Sequence, residues 1–388
     1  MPTADDIRPF HAELTEIRRD IHAHPELGLE ETRTAALVAK RLAEWGLEVH
    51  TGIGGTGVVG VLRRGNGEAS IGLRCDMDAL AMGEATGLSY ASTNPGRMHG
   101  CGHDGHTTML LGAARTLAER GNFNGVVNFI FQPAEEGRGG AEAMLADGLF
   151  RRFPCDCVFG MHNKPALPVG QFGIRPHDAM AGCLFWDITI NGRGSHGARP
   201  EASIDPVLVA AHLTAALQSV ISRNVPPADI AVVSVTRITA GDAYNVIPET
   251  ATMWGTARAF RREIMTLIQD SMQRLTDGVV AGFGATAKLT FYVTALPLVN
   301  DPQAASEMAD AAAAVVGEAA VDRDIERNNA SEDFSFMLEH VPGALINIGN
   351  GDSAGLHNPA YDFNDAAIPY GVALWATLVE RKLAKGVA

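Results

Sequence analysis

Apolar positions recur at helical spacing through the first 45 residues, as Leu14, Ile17 and Ile21 and then Ala36, Leu37 and Leu42. This pattern predicts two helices, broken at His24-Pro25-Glu26-Leu27-Gly28 where proline and glycine interrupt it. Further on, short apolar runs over 71–75, 126–131 and 158–161 read as strands, with helical patterns over 107–120 and 140–147 between them. Strands alternating with helices imply an α/β fold, a mainly parallel sheet with helices on both faces. The rhythm changes near Gly182. From there a strand (184–190), a helix (204–222), two strands (230–239 and 250–259), a helix (263–280) and a strand (288–294) follow in turn. That order, β-α-β-β-α-β, is ferredoxin-like, and it is expected as a self-contained domain over 182–296, inserted into a larger domain made of 1–181 and 297–388. After Pro297 the α/β pattern returns. It comprises an alanine-rich helix (303–317), a Ser331-Glu332-Asp333-Phe334-Ser335 turn opening a short helix, a strand (344–348) and a last helix (369–383). Gly52-Ile53-Gly54-Gly55-Thr56-Gly57 matches a dinucleotide-binding motif in letters. That motif needs a helix after it, whereas Val58-Val59-Gly60-Val61-Leu62 reads as a strand, so a loop between strands is expected.

Composition narrows the function classes. The chain has 388 residues, 46% apolar and 20% charged, enough for a sizeable core in two or three domains. A net charge of -14 with no run of lysine or arginine argues against nucleic acid as a partner. No stretch of 18 apolar residues suits a membrane, and the polar start (Asp5, Asp6, Arg8, His11, Glu13) is unlike a signal peptide, so the cytoplasm is expected. Five cysteines do not make a disulfide framework, and Cys75, Cys155, Cys157 and Cys183 read as buried thiols. Cys101 alone among the cysteines has ligand-type neighbours.

Asp76, Asp78, His99, Cys101, His103, Asp104, His106, Glu135 and Glu136 form the densest cluster of metal-capable side chains. Glycines around Cys101 let the backbone turn tightly enough to aim several donors at one point. In α/β sheets sites form beyond the carboxyl ends of strands. Asp76 and Asp78 are placed after the first strand, Glu135 and Glu136 after the second, His162 after the third, and His357 on a glycine-rich loop after the strand over 344–348. Cys101, His103, Glu136, His162 and His357 are thus expected at one sheet edge. Five donors exceed one tetrahedral ion and suit two ions. Two metals about 3.5 to 4 Å apart polarise a carbonyl and activate a water. Glu135, beside a ligand, is placed to be the general base.

The runs Asp76-Met77-Asp78-Ala79-Leu80, His99 to His106, Phe131 to Glu136, Gly160-Met161-His162, Gly192 to Pro200, Asn245-Val246-Ile247-Pro248 and Leu356-His357-Asn358 together resemble the amidohydrolase family of hippurate hydrolases, bacterial aminoacylases and hydrolases of indole-acetate amino-acid conjugates, a branch of the di-metal carboxypeptidase and aminoacylase superfamily. The resemblance implies Cys101, His103, Glu136, His162 and His357 as ligands of two divalent ions (Mn, Zn, Co or Ni), with Glu135 as base. It implies Asp76 as the acid orienting a ligand imidazole, Arg74 in place of the wider superfamily's first histidine ligand, His196 as an oxyanion contact, and Asn245 and Arg258 as contacts to a substrate carboxylate. It further implies an N-acyl or N-aroyl amino acid as substrate. The inserted domain is implied to be a lid that also pairs subunits, giving a homodimer or higher oligomer in which His196 reaches the partner's site. Alternatives are a carboxypeptidase or dipeptidase on the same fold, a thiol amidase using Cys101, and a metal-binding protein without turnover.

Overall fold

The computed structural model describes residues 2–384. Two compact units result: Met1–Ala179 with Val299–Glu326 and Asp333–Ala388, and Met180–Leu298 with Arg327–Glu332. The stretch Arg327–Glu332 differs from the sequence expectation, which kept it with the larger unit. The Ala181 N–H donates to the Asn328 carbonyl at 3.0 Å and the Arg327 guanidinium lies 5.5 Å from the Phe260 ring centre, which fastens it to the second unit.

The first unit is built on an eight-stranded sheet. At its centre Gly125–Gln132, Ser70–Asp76, Cys157–Pro165 and Gly343–Gly351 run side by side and parallel. Ser70–Asp76 and Gly125–Gln132 are buried at every position, as strands covered on both faces must be. Antiparallel pairs join the flanks to this centre, so the sheet is mixed. On one side the strands Glu48–Ile53 and Gly57–Arg64 form a hairpin whose turn takes Gly54 and Gly55 to positive φ, which explains why the GxGxxG letters carry no nucleotide-binding helix. On the other side Phe172–Gly173 pairs antiparallel with Gly343–Gly351, and Val321–Asp322 completes the edge. Helices Ala4–Ala23, His103–Arg120, Pro302–Val316 and Ile368–Lys382 pack as a group. Leu14, Ile17 and Ile21 of the first share one core with Leu110, Ala114 and Leu117 of the second and Val372 and Trp375 of the last.

The second unit carries a four-stranded antiparallel sheet in the order Ala231–Ala240, Thr250–Ala259, Gly182–Asn191, Thr286–Ala295. Helices Pro206–Ser219 and Arg262–Gly282 pack on it and on each other. Along Thr250–Ala259 buried and half-exposed residues alternate strictly, so one face builds a core around Trp186, Ile188, Met253 and Leu213 and the other faces outward. Among the described residues no helix is long and apolar enough to cross a membrane.

Candidate metal centre

His103 is the first residue of its helix, four positions earlier than the pattern of apolar residues suggests. Gly102 caps that helix at φ +88, and a Cβ there would meet Asn163 Oδ1 at 2.5 Å and Tyr361 Oη at 2.6 Å. Only glycine makes this turn, and the turn brings Cys101 and His103 to the same side. His162 lies inside its strand, which runs on to Pro165, rather than beyond it. His357 sits at φ +60 on its loop, with its N–H bonded to the Gly100 carbonyl at 2.8 Å.

All five expected ligands converge. The donor atoms of Cys101, His103 and His162 lie within 4.8 Å of one another, as do those of Cys101, Glu136 and His357. Cys101 is common to both triplets. His103, Glu135 and Glu136 make a third such group, which places the expected base beside the donors. The Cys101 sulfur is 3.5 Å from His162 Nε2, and Glu136 Oε1 is 3.2 Å from His357 Nε2 and 3.9 Å from His103 Nε2.

Hydrogen bonds fix which ring nitrogens face inward. His103 Nδ1 donates to the Asp78 carbonyl (2.8 Å), and His162 Nδ1 donates to the Asn163 carbonyl (2.7 Å), so each ring turns Nε2 toward the other donors. The carboxylate beside His103 Nδ1 is Asp78, at 3.3 Å. This corrects the expectation for Asp76, which instead takes His106 Nδ1 at 2.6 Å and the Arg74 guanidinium at 2.9 Å. Asp76 Oδ2 still lies 3.8 Å from His103 Nε2, on the other side of that ring from Asp78. Asp78 also accepts the backbone N–H of Glu135 (3.0 Å) and of Glu136 (2.9 Å). Arg74 is buried, bonded to Gln132 (2.8 Å), Asp76 and Asp333 (3.2 Å), and is an organiser of carboxylates rather than a donor.

The donor set fits divalent cations. His103 Nε2 is buried without a hydrogen-bond partner, a costly state for a polar atom in a protein interior unless a ligand meets it. The cluster also demands positive charge. The Cys101 sulfur and then the Glu136 carboxylate push His357 up to about 10, and at His103 burial is outweighed by the Asp76 carboxylate, which holds the ring above its usual value. Burial, with His106 adding, pushes His162 down to about 3, which keeps that imidazole neutral and able to ligate. Burial and then Glu136 raise the Cys101 thiol, which makes it a poor nucleophile and counts against the thiol-amidase alternative. A thiolate, imidazole and carboxylate set is what borderline transition metals select.

His196, Asn245 and Arg258 all fall in the second unit. Ser195–His196 pairs with Val246–Ile247, and the Gly197 N–H donates to the Asn245 carbonyl at 2.7 Å, so His196 and Asn245 are neighbours. His196 is exposed, and its Nδ1 accepts the Ala198 N–H at 3.1 Å, which leaves Nε2–H as the outward donor of the neutral ring. Arg258 bonds Thr256 Oγ1 at 2.7 Å and the Cys183 sulfur. Sequence reasoning missed the orienting part of Asp78 and the part of Asp333, which accepts from Arg74, Gln132 (2.7 Å) and the Ala141 N–H (3.0 Å). Asp78 carried a signal, lying two residues beyond a strand end, whereas Asp333 in a polar turn carried none.

Residues 72–381 match the family described as Peptidase family M20/M25/M40, and this chain belongs to that family. It is 42% identical over 378 residues to a hippurate hydrolase of Campylobacter jejuni, a match covering 97% of this chain and 98% of that one. It is 37% identical to an N-acetylcysteine deacetylase of Bacillus subtilis, covering 96% of this chain and 97% of the relative. Among solved structures, a dinuclear metal-binding M20 peptidase of Bacillus subtilis aligns with a TM-score of 0.84 at 34% identity, over 97% of this chain and 99% of that one. A putative aminohydrolase of methicillin-resistant Staphylococcus aureus aligns with a TM-score of 0.92 at 30% identity, over 98% and 99% of the two chains.

Replacing Asp78 by asparagine removes the charge behind His103 while keeping its size. Partners of this kind typically contribute about 10- to 100-fold to metal affinity. Competition against a chromophoric chelator is expected to show a loss of that order for Asp78→Asn, with the melting transition of the metal-free protein retained.

Proposed function

We propose that this chain hydrolyses the amide bond of N-acyl or N-aroyl amino acids, giving a carboxylate and a free amino acid, with two divalent ions held by Cys101, His103, Glu136, His162 and His357. The observation that carries this reading is the convergence of those donors in two triplets sharing Cys101, with Glu135 beside them. The hippurate hydrolase and the N-acetylcysteine deacetylase among the relatives support the substrate class. The chemistry such ions supply when bound is Lewis acidity toward a carbonyl oxygen and toward a water.

Glu135 is assigned the proton transfers. Its main chain is pinned by Asp78, so the carboxylate has a fixed origin from which to accept a proton from water and return it to the departing amine. His196, with Nε2–H outward, is assigned to the oxyanion that develops as the carbonyl is attacked. Arg258 and Asn245 are assigned to the substrate carboxylate, for which a guanidinium is the natural partner. The ferredoxin-like second unit is read as a lid and dimerisation domain. Its edge strand Ala231–Ala240 exposes Val232 and Ile238, and such edges are usually covered. Five cysteines without a disulfide suit the reducing cytoplasm assigned to it.

Assayed against N-acetyl, N-benzoyl and indole-acetyl amino acids with added Mn, Glu135→Gln is expected to lose about 10²- to 10⁴-fold in kcat while its metal content equals that of wild type. A variant keeping more than a tenth of wild-type kcat with metal bound removes Glu135 from this role. The His196 assignment is tested by mixing His196→Ala with Glu135→Gln subunits. If His196 serves the partner subunit, up to about a quarter of wild-type activity returns after subunit exchange, since half of the dimers are mixed and each has one intact site. Exchange without recovery discards the assignment across subunits.

A further inference from the structure

We propose that Arg18 and His22 of the first helix are positioning residues for the metal centre, clamping the start of the His103–Arg120 helix to the loop that carries His357. The inference rests on the metal-dependent reading above. Neither side chain is among the converging donors, yet both are fully buried, and a buried cation persists only where carboxylates compensate it. Those carboxylates sit next to ligands in sequence. Asp104 directly follows His103, and its Oδ2 receives His22 Nδ1 at 2.8 Å and Arg18 Nη1 at 3.4 Å. Asp362 and Asp365 follow His357, and Arg18 reaches them through Nη1 at 3.1 Å and Nε at 2.7 Å. His22 Nε2 lies 3.4 Å from Glu84, in the segment that starts at Asp78. The Tyr90 ring lies 4.6 Å from the Arg18 guanidinium carbon, and its hydroxyl donates to Asp362 at 2.7 Å.

The physical consequence follows from charge. Asp104 and Asp362 share one guanidinium nitrogen, and without Arg18 two carboxylates in a poorly screened interior would repel. The helix start and the His357 loop would then separate, moving His103 in one donor triplet away from His357 in the other. A planar guanidinium contacting three carboxylates is not replaced by lysine, whose ammonium is a point charge.

The test measures cobalt affinity by chelator competition and the absorption spectrum of the cobalt-loaded protein, for wild type, Arg18→Met, His22→Ala and His22→Asn. Asparagine can present an N–H near the position of Nδ1. Arg18→Met and His22→Ala are expected to bind cobalt about 10- to 100-fold more weakly with an altered spectrum, and His22→Asn to recover to within about threefold of wild type. Variants that melt earlier but keep wild-type cobalt affinity and spectrum would overturn the proposal and leave the pair a purely structural role. Should Arg18→Met not fold, the two His22 variants decide the matter. A wild-type protein that takes up no cobalt would overturn the metal-dependent reading itself, and this one with it.

Discussion

The carboxylate of Asp78 accepts the backbone N–H groups of Glu135 and Glu136, and the same residue's carbonyl takes Nδ1 of His103. Three stretches distant in sequence, the end of one central strand, the turn after the next and the start of a helix, are held by this one residue. Charge-assisted bonds to main-chain N–H groups are among the stronger ones a protein makes, and here they set where a base and a ligand begin. The sheet makes the arrangement possible. Its parallel central strands deliver their carboxyl ends to one edge, where the residues that follow separate strands come within reach of these bonds.

Concentrating carboxylates, imidazoles and a thiol in one buried place is unfavourable in isolation, and the surrounding residues show how it is balanced. Arg74 pairs with both Asp76 and Asp333, and Gln132 supplies a further donor to Asp333. Asp76 lies well below the usual carboxylate range, since burial, which opposes this, is outweighed by His103, His106 and Arg74. The remaining demand for positive charge falls on His103 and His357, one ring from each donor triplet. A centre of this kind is organised for cations rather than for a nucleophilic thiol. That distinction separates the metal-dependent reading from its alternative on physical grounds.

Much of this was legible in the sequence, for reasons that can be named. The strands carry uninterrupted apolar runs because both of their faces are covered, and the donors stand out because histidine, cysteine and paired glutamates are rare just beyond such runs. What stayed hidden was local. His103 opens its helix in a glycine-rich stretch where no periodicity shows, and His162-Asn163-Lys164 extend their strand although polar side chains end the apolar run. Phe172–Gly173 and Val321–Asp322 are too short to show a period of two. Asp76 and Asp78 are the same residue type two positions apart, and nothing in the sequence separates the one bonded to His106 Nδ1 from the one beside His103 Nδ1.

The central claim is that Cys101, His103, Glu136, His162 and His357 would together hold two divalent ions. A crystal of the protein loaded with manganese or zinc, measured at the metal's absorption edge, addresses it directly. Two anomalous peaks per chain are expected among these five side chains. A single peak, or peaks remote from these side chains, would contradict the account.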